Sequence, residues 1–128
     1  MPLLDSINAL GFAKGVPTDV ATTDADIIDI PVRGAGYVVT AVLVYNAVGN
    51  NGSATLGVFG GAAGATPTIV ADAALTTHTS AAVVSSRTIA ATATTPAVTA
   101  DTLKIRVGTA SGVAGSKVDV VVYGYALI

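Results

Sequence analysis

Residues 37–45 have the sequence Tyr-Val-Val-Thr-Ala-Val-Leu-Val-Tyr, and this stretch decides the fold class. Val and Thr favour strands because a branched Cβ suits a pleated surface. Both faces of such a strand are apolar, which predicts a central position in a sheet. The composition points the same way, because the 128 residues include no Glu and no Gln, two good helix formers.

Two later stretches also have strand patterns. In residues 102–108, Leu103, Ile105 and Val107 alternate with Lys104 and Arg106, which predicts a strand with its cations outward. Residues 117–128 are apolar on both faces: Val118, Val120 and Val122 share one face, and Val121, Tyr123, Tyr125 and Leu127 share the other. This last strand therefore lies either in the middle of a sheet or with its outer face against another subunit.

The middle of the chain carries weaker signals. Asn50-Asn51-Gly52-Ser53 predicts a hairpin that returns the chain as a partner strand over residues 54–59. Residues 68–75 and 83–89 are candidates for two further strands. A helix over residues 70–93 is the alternative, given the Ala content, but the density of Ser and Thr disfavours it.

Six to eight short strands with Gly and Asn turns predict an all-β fold, a single antiparallel β-sandwich with a jelly-roll-like arrangement over residues 26–128. Residues 1–25 are predicted to form an N-terminal arm and linker. Leu3, Ile7 and Leu10 lie at helical spacing, with Gly11 where a helix would end. Because one or two helical turns are unstable alone, this arm is expected to dock on its own domain or on a neighbouring subunit.

Charge and hydropathy exclude several function classes. The net charge is −2 and the six cations are scattered along the chain, which argues against binding to nucleic acid. No stretch approaches the roughly 20 apolar residues of a membrane span. Asp5 stands where a signal peptide needs a positive charge, so we expect synthesis in the cytoplasm without signal-directed export.

Catalytic and metal-binding motifs are weak. The chain has one histidine, His78, and no cysteine. Ser80 and Asp72 lie near His78 in sequence, but no nucleophile elbow or oxyanion-hole motif accompanies them, so His78 is expected to be an exposed loop residue. The three acids Asp24, Asp26 and Asp29 lie in an extended segment and point in different directions. We therefore predict no enzyme activity, no cofactor and no metal.

Three stretches carry a resemblance to a known family. They are the N-terminal Met-Pro-Leu-Leu-Asp-Ser-Ile-Asn-Ala-Leu-Gly-Phe, the stretch from Tyr37 to Ala47 with the Gly, Ala and Thr-rich region after it, and the ending Thr-Leu-Lys-Ile-Arg-Val followed by Val-Asp-Val-Val-Val-Tyr-Gly-Tyr-Ala-Leu. With these features the chain resembles bacteriophage capsid decoration (cement) proteins of the small jelly-roll type. The resemblance implies a structural virion protein that binds the outer surface of the capsid and stabilises junctions between capsid subunits.

The resemblance also implies partners and contact residues. The partner would be the major capsid protein, and the protein would itself be a homo-oligomer, with a trimer favoured. The capsid-binding arm would use Leu3, Leu4, Ile7, Leu10 and Phe12. The subunit interface would use Val121, Tyr123, Tyr125 and Leu127, because Tyr is enriched at interfaces. The alternatives are a receptor- or glycan-binding module of a phage tail or fibre, and a subunit of a cell-surface layer.

Overall fold

The computed structural model describes residues 8–29, 36–59, 68–90 and 102–127, and every regular element among them is a β-strand. The eight strands are β1 (Asn8–Pro17), β2 (Thr22–Asp29), β3 (Gly36–Val48), β4 (Thr55–Phe59), β5 (Thr68–Ala74), β6 (Ser85–Ser86), β7 (Thr102–Thr109) and β8 (Lys117–Leu127). All of their pairings are antiparallel.

The strands form two four-stranded sheets that pack as a β-sandwich. Sheet A has the order β1-β8-β3-β6, and sheet B has the order β2-β7-β4-β5. Successive strands alternate between the sheets except for β4 and β5, which are neighbours in sheet B. This strand order is that of a jelly roll, so the predicted fold class is confirmed.

The core lies between the inner faces of the two sheets. Sheet A supplies mainly Val, and sheet B supplies Leu, Ile and Val; the core side chains with no exposed surface are Val39, Val42, Val44, Ala54, Leu56, Val58, Ile69, Leu75, Ile105, Val118, Val120 and Val122. Val107, with 1% of its surface exposed, follows Ile105 on the same face of β7, while Lys104 and Arg106 alternate with them and are half-exposed. The alternation predicted for β7 is therefore confirmed for these side chains.

The two strands predicted to be apolar on both faces are the two central strands of sheet A. β8 lies between β1 and β3, and β3 lies between β8 and β6. Of the two positions left open for the last strand, the structure shows the interior one. A central strand has neighbours on both edges, and its side chains on either face are flanked by those of two other strands.

Of two predictions about the middle of the chain, one is wrong and the other is confirmed only in part. The turn at Asn50-Asn51-Gly52-Ser53 does not form a hairpin, because β3 belongs to sheet A and β4 to sheet B. Residues 83–89 form a strand only at Ser85–Ser86, and this short strand lies in the opposite sheet from β5. The alternative of a helix over residues 70–93 is also excluded for the described part, residues 70–90, since they contain β5 and β6.

The predicted helical stripe of the N-terminal segment is wrong where the structure describes it. From Asn8 to Pro17 the chain is a strand, and this strand, β1, pairs with β8 along its length, with irregularities between Ala9 and Gly11 and between Ala13 and Val16. The edge of β8 offers backbone hydrogen bonds to an extended chain, whereas a helix of one or two turns is marginal in water. Leu3, Leu4 and Ile7 lie outside the described residues.

Candidate functional site

The outer face of sheet A is apolar and partly exposed. Cross-strand partners lie on the same face of a sheet, and Val121 of β8 pairs with Phe12 of β1 on one side and with Leu43 of β3 on the other. Tyr123 pairs with Ala41 in the next row. We call this surface the A face and define it by its described apolar side chains: Phe12, Val38, Ala41, Leu43, Tyr45, Val121 and Tyr123.

Exposure on the A face increases from its centre to its edge. Val121 lies on the central strand and keeps only 8% of its surface exposed, because side chains of β1 and β3 flank it. Leu43, Tyr45 and Tyr123 are half-buried. Phe12 lies on the edge strand and is 58% exposed, an unusual condition for a phenylalanine. The A face is thus an apolar band of three strands with an exposed aromatic ring at its edge.

The structure brings together residues that the sequence assigned to two different sites. The resemblance implies that Phe12 belongs to the capsid-binding arm and Val121 to the subunit interface, yet the two are direct cross-strand partners. Tyr123 lies in the row beside them. Leu10 lies at the irregularity between Ala9 and Gly11, and Tyr125 and Leu127 pair with Val38 and Gly36.

Sequence reasoning missed the contribution of β3 to this face. Leu43 and Tyr45 belong to the stretch that was predicted to be apolar on both sides, so the signal was present. What the sequence did not show is that β3 and β8 are neighbours, which is a long-range pairing.

A buried aspartate ties the three strands together at one end of the A face. Asp119 of β8 is 7% exposed. Its Oδ1 accepts a hydrogen bond from the backbone N–H of Gly15 in β1 at 2.7 Å, and its Oδ2 accepts one from Asn46 Nδ2 in β3 at 2.9 Å. Asn46 has a positive φ of 53° at the irregular end of its strand. Both carboxylate oxygens are therefore engaged in holding β1 and β3 against β8.

A second polar cluster joins three loops at the end of the sandwich where β8 begins. The Thr18 hydroxyl donates to Asn51 Oδ1, and it also lies 2.8 Å from the Ser116 hydroxyl. Ser116 Oγ is 2.5 Å from Ser111 Oγ. All four side chains are buried. The Asn51 amide group donates at 3.2 Å to the carbonyls of both Val48 and Gly49, so Asn51 holds a crossover between the sheets and does not close a hairpin.

His78 is buried, which corrects the expectation of an exposed loop residue. Its side chain has no exposed surface, and Nε2 lies 2.6 Å from the hydroxyl of Ser85. Its backbone carbonyl accepts a hydrogen bond from Asn51 N–H at 3.0 Å, which anchors the crossover loop. Asp72, which the sequence analysis considered as a partner of His78, forms an ion pair with Arg106 instead.

The His78 ring is left with one unsatisfied nitrogen. Nδ1 has no hydrogen-bond partner within the described ranges. Burial, and after it the positive charge of Arg87, lowers the pKa of His78. A catalytic dyad needs an orienting group on the second ring nitrogen and access for a substrate, so the arrangement is that of a neutral core histidine held by a hydroxyl.

On the outer face of sheet B, the ion pair of Asp72 and Arg106 packs over Gly57. Arg106 binds both oxygens of Asp72, with a shortest distance of 2.7 Å, and its guanidinium lies 4.7 Å from the centre of the Phe59 ring. Gly57 lies beneath this group: a Cβ there would stand 2.3 Å from Asp72 Oδ1 and 2.8 Å from the Phe59 ring. The absence of a side chain at Gly57 leaves the space that the Phe59 ring occupies.

Groups that would mark a metal site or a membrane helix are not found in the part of the chain that the structure describes. No three His, Cys, Asp or Glu side chains there are arranged to hold a metal ion. No helix there is long and apolar enough to cross a membrane.

Comparisons of the chain with protein-family models, with curated proteins and with solved structures found no match. The function of this chain is therefore inferred from its own residues and their geometry.

Proposed function

We propose that this chain is a structural subunit that docks on other protein subunits through the A face, and that it does so as a decoration protein on the outer surface of a phage capsid. The partner is then the major capsid protein, as the resemblance implies. The observation that carries the proposal is the A face itself, a contiguous apolar band with Phe12 58% exposed at its edge. Large exposed apolar patches mark protein interaction sites.

The jelly-roll order is compatible with this proposal without carrying it. Viral capsid and lectin domains and cupins share this architecture, and a fold alone does not assign a function. The proposal depends instead on the chemistry of the A face. The described apolar side chains of this face come from three strands, and the carboxylate of Asp119 at its end is already hydrogen-bonded on both oxygens.

Low charge density supports a protein partner over a polyanion. Charged residues make up 11% of the chain, against about 25% in an average soluble domain. A surface of this kind attracts few counterions, so binding must come mainly from apolar burial. Burying a fully exposed phenylalanine contributes roughly 1.5–3 kcal/mol, and the exposed part of Phe12 accounts for about half of that. Many such modest contacts on a repeating lattice become strong through multivalency.

A non-catalytic role belongs to the same proposal. The single histidine of the chain is buried against Ser85 and supports the core. The ion pair of Asp72 and Arg106 is fitted to the sheet surface over Gly57. Each of these groups therefore has a structural role that accounts for its position.

The test compares two substitutions at similarly exposed apolar residues. Phe12→Asp places a charge on the A face. Val84→Asp is the matched control, because Val84 is 62% exposed and lies in the loop before β6. Purified proteins are mixed with capsids assembled without this chain, and the bound fraction is measured by co-sedimentation.

We expect saturable binding of the wild type, unchanged binding of Val84→Asp, and at least tenfold weaker binding of Phe12→Asp, the equivalent of about 1.4 kcal/mol per site. Sedimentation equilibrium of the free protein tests the expected trimer. Absence of saturable binding by the wild type would refute the capsid assignment. Equal binding by the two variants would refute the role of the A face.

A further inference from the structure

A groove lies along the free edge of sheet B. β5 is the edge strand of that sheet, and the segment of residues 85–90 passes beside it. Two hydrogen bonds join them: Ala90 N–H donates to the Ile69 carbonyl at 2.8 Å, and Arg87 Nη2 donates to the Ala74 carbonyl at 3.0 Å. Between these two bonds the chains separate and enclose a groove of about 330 Å³, lined by residues 70–73 of β5 and by residues of the passing segment.

The groove wall contains a guanidinium without a counter-charge. Arg87 is half-buried, and its hydrogen-bond acceptors are neutral: the Ala74 carbonyl, and the Ser85 hydroxyl at 3.4 Å from Nη1. Its Nε is buried without an acceptor among the described residues, and no carboxylate in the described ranges is paired with it. Burial lowers the pKa of Arg87, but a guanidinium stays charged at neutral pH.

The acid that lines the same groove does not neutralise Arg87. Asp72 is a lining residue, but its carboxylate is bound by two nitrogens of Arg106, with distances of 2.7, 3.0 and 3.3 Å. That pair carries no net charge. Counted over its described residues, the groove is therefore positive and favours an anion.

The strand edge itself favours a peptide. No hydrogen bond joins residues 70–73 to residues 85–90 in the described structure, and Ala71, Asp72, Ala73 and Ala74 are exposed. An exposed edge strand can accept an extended peptide as an additional strand. Four residues of such a strand span about 14 Å, and the small side chains of Ala71 and Ala73 leave room beside them.

We propose that this groove binds a short extended peptide bearing a carboxylate, with the peptide backbone beside β5 and the carboxylate against the Arg87 guanidinium. Carboxylate and guanidinium form charge-assisted, bidentate hydrogen bonds that neutral acceptors do not match. The hydroxyls of Ser86 and Thr88, which also line the groove, supply further polar contacts. The groove and the A face consist of different residues, so this proposal stands independently of the capsid assignment.

The test uses two probes that differ only in charge. Acetyl-Val-Thr-Val-Ala with a free carboxylate and the same peptide with a C-terminal amide are titrated into the full-length protein, and backbone amide shifts are followed by NMR. We expect saturable shifts confined to residues 69–74 and 85–90 with the free acid, with a Kd on the order of 1 mM, and at least tenfold weaker binding of the amide.

Variants test whether binding depends on the guanidinium of Arg87 or on positive charge in general. Arg87→Gln removes the cation from the groove, and Lys14→Gln removes an exposed cation from β1 as a matched control. We expect Arg87→Gln to weaken binding of the free acid at least tenfold and Lys14→Gln to leave it unchanged. Arg87→Lys retains the positive charge but not the planar guanidinium that binds a carboxylate with two nitrogens, so it should give an intermediate affinity. It replaces Arg87→Gln in the test if that variant does not fold. Equal binding of acid and amide by the wild type, shifts elsewhere on the protein, or no shifts would overturn the proposal.

Discussion

Acidification should destabilise this fold through His78. The ring is fully buried, Nδ1 has no partner within the described residues, and the cation of Arg87 acts on it electrostatically. Protonation would add a second positive charge to a site without a counter-charge. The folded state therefore resists protonation, and the pKa of His78 is lowered by burial and by Arg87.

The direction of this pH dependence follows from the protonation of His78 in the folded and unfolded states. In the unfolded chain His78 titrates near its ordinary value of 6.5. Below that pH the unfolded state binds a proton that the folded state resists, so the free energy of unfolding decreases as pH falls. The slope approaches about 1.4 kcal/mol per pH unit and ends once the pH is below the folded pKa. At neutral pH and above, the stability is fully present.

Few groups of this chain other than His78 titrate in this pH range. His78 is the only histidine, and aspartate side chains titrate near 3.9 and the α-amino group near 7.7–8.0 in model peptides. Between about pH 5 and about pH 7, the slope therefore comes mainly from His78. Urea denaturation followed by circular dichroism at several pH values in this window, at constant ionic strength, measures it.

Two substitutions remove the titration. His78→Gln and His78→Leu should each make the free energy of unfolding nearly independent of pH in this window, whatever their stability at neutral pH. Ser80→Ala is the control, because Ser80 is exposed in the same loop and leaves His78 in place. A wild-type stability that stays flat from about pH 7 to about pH 5, or a slope that persists in both His78 variants, would refute the reasoning.

Two further predictions concern stability. Asn51→Ala should lower the free energy of unfolding by about 1–3 kcal/mol, because it removes the buried acceptor of the Thr18 hydroxyl and the donor that binds two loop carbonyls. Asn50→Ala, at an exposed neighbour, should cost at most about 1 kcal/mol; equal losses would contradict the network. Gly57→Ala should cost about 1–3 kcal/mol, because its Cβ overlaps Asp72 and Phe59. In an Asp72→Ala background this cost should shrink, as a double-mutant cycle in urea would measure; an unchanged cost would show that the overlap with Asp72 is not what matters.

The strands could be predicted wherever period-two patterns are long. The alternation around Ile105 and the two-sided apolar character of residues 37–45 led to β7 and β3, because burial on one or both faces is visible in local order. The apolar content of β8 indicated a central position or an interface; the structure shows the central position, and the interface stays a prediction.

The burial of two polar residues, Asn51 and His78, was not predicted from the sequence. Asn51 precedes a glycine and has the signature of a hairpin turn, but its side chain is buried and bonded to Thr18, a residue from another loop. His78 stands among Thr and Ser residues that indicate an exposed loop, yet it packs beneath the crossover and against Ser85. Burial of a polar residue depends on distant partners that satisfy it, and local composition does not reveal them.

Of the two candidate surfaces, the A face could be predicted in part from the sequence and the groove could not. An apolar outer face on β8 could be predicted from Val121 and Tyr123, whereas its union with Phe12 and Leu43 required the pairing of β8 with β1 and β3. The groove at Arg87 had no signal in the sequence, since it exists only where residues 85–90 pass from the edge of sheet A to the edge of sheet B.

By itself, the sequence determined an all-β sandwich with Val-rich strands and few charges, because strand formation and burial follow from side-chain shape and alternation along the chain. The tertiary structure alone decided that residues 8–17 join sheet A as β1, that His78 is a core residue and that Phe12 and Val121 share one face. Each of these depends on which strands become neighbours, and that choice is made by the packing of the whole core.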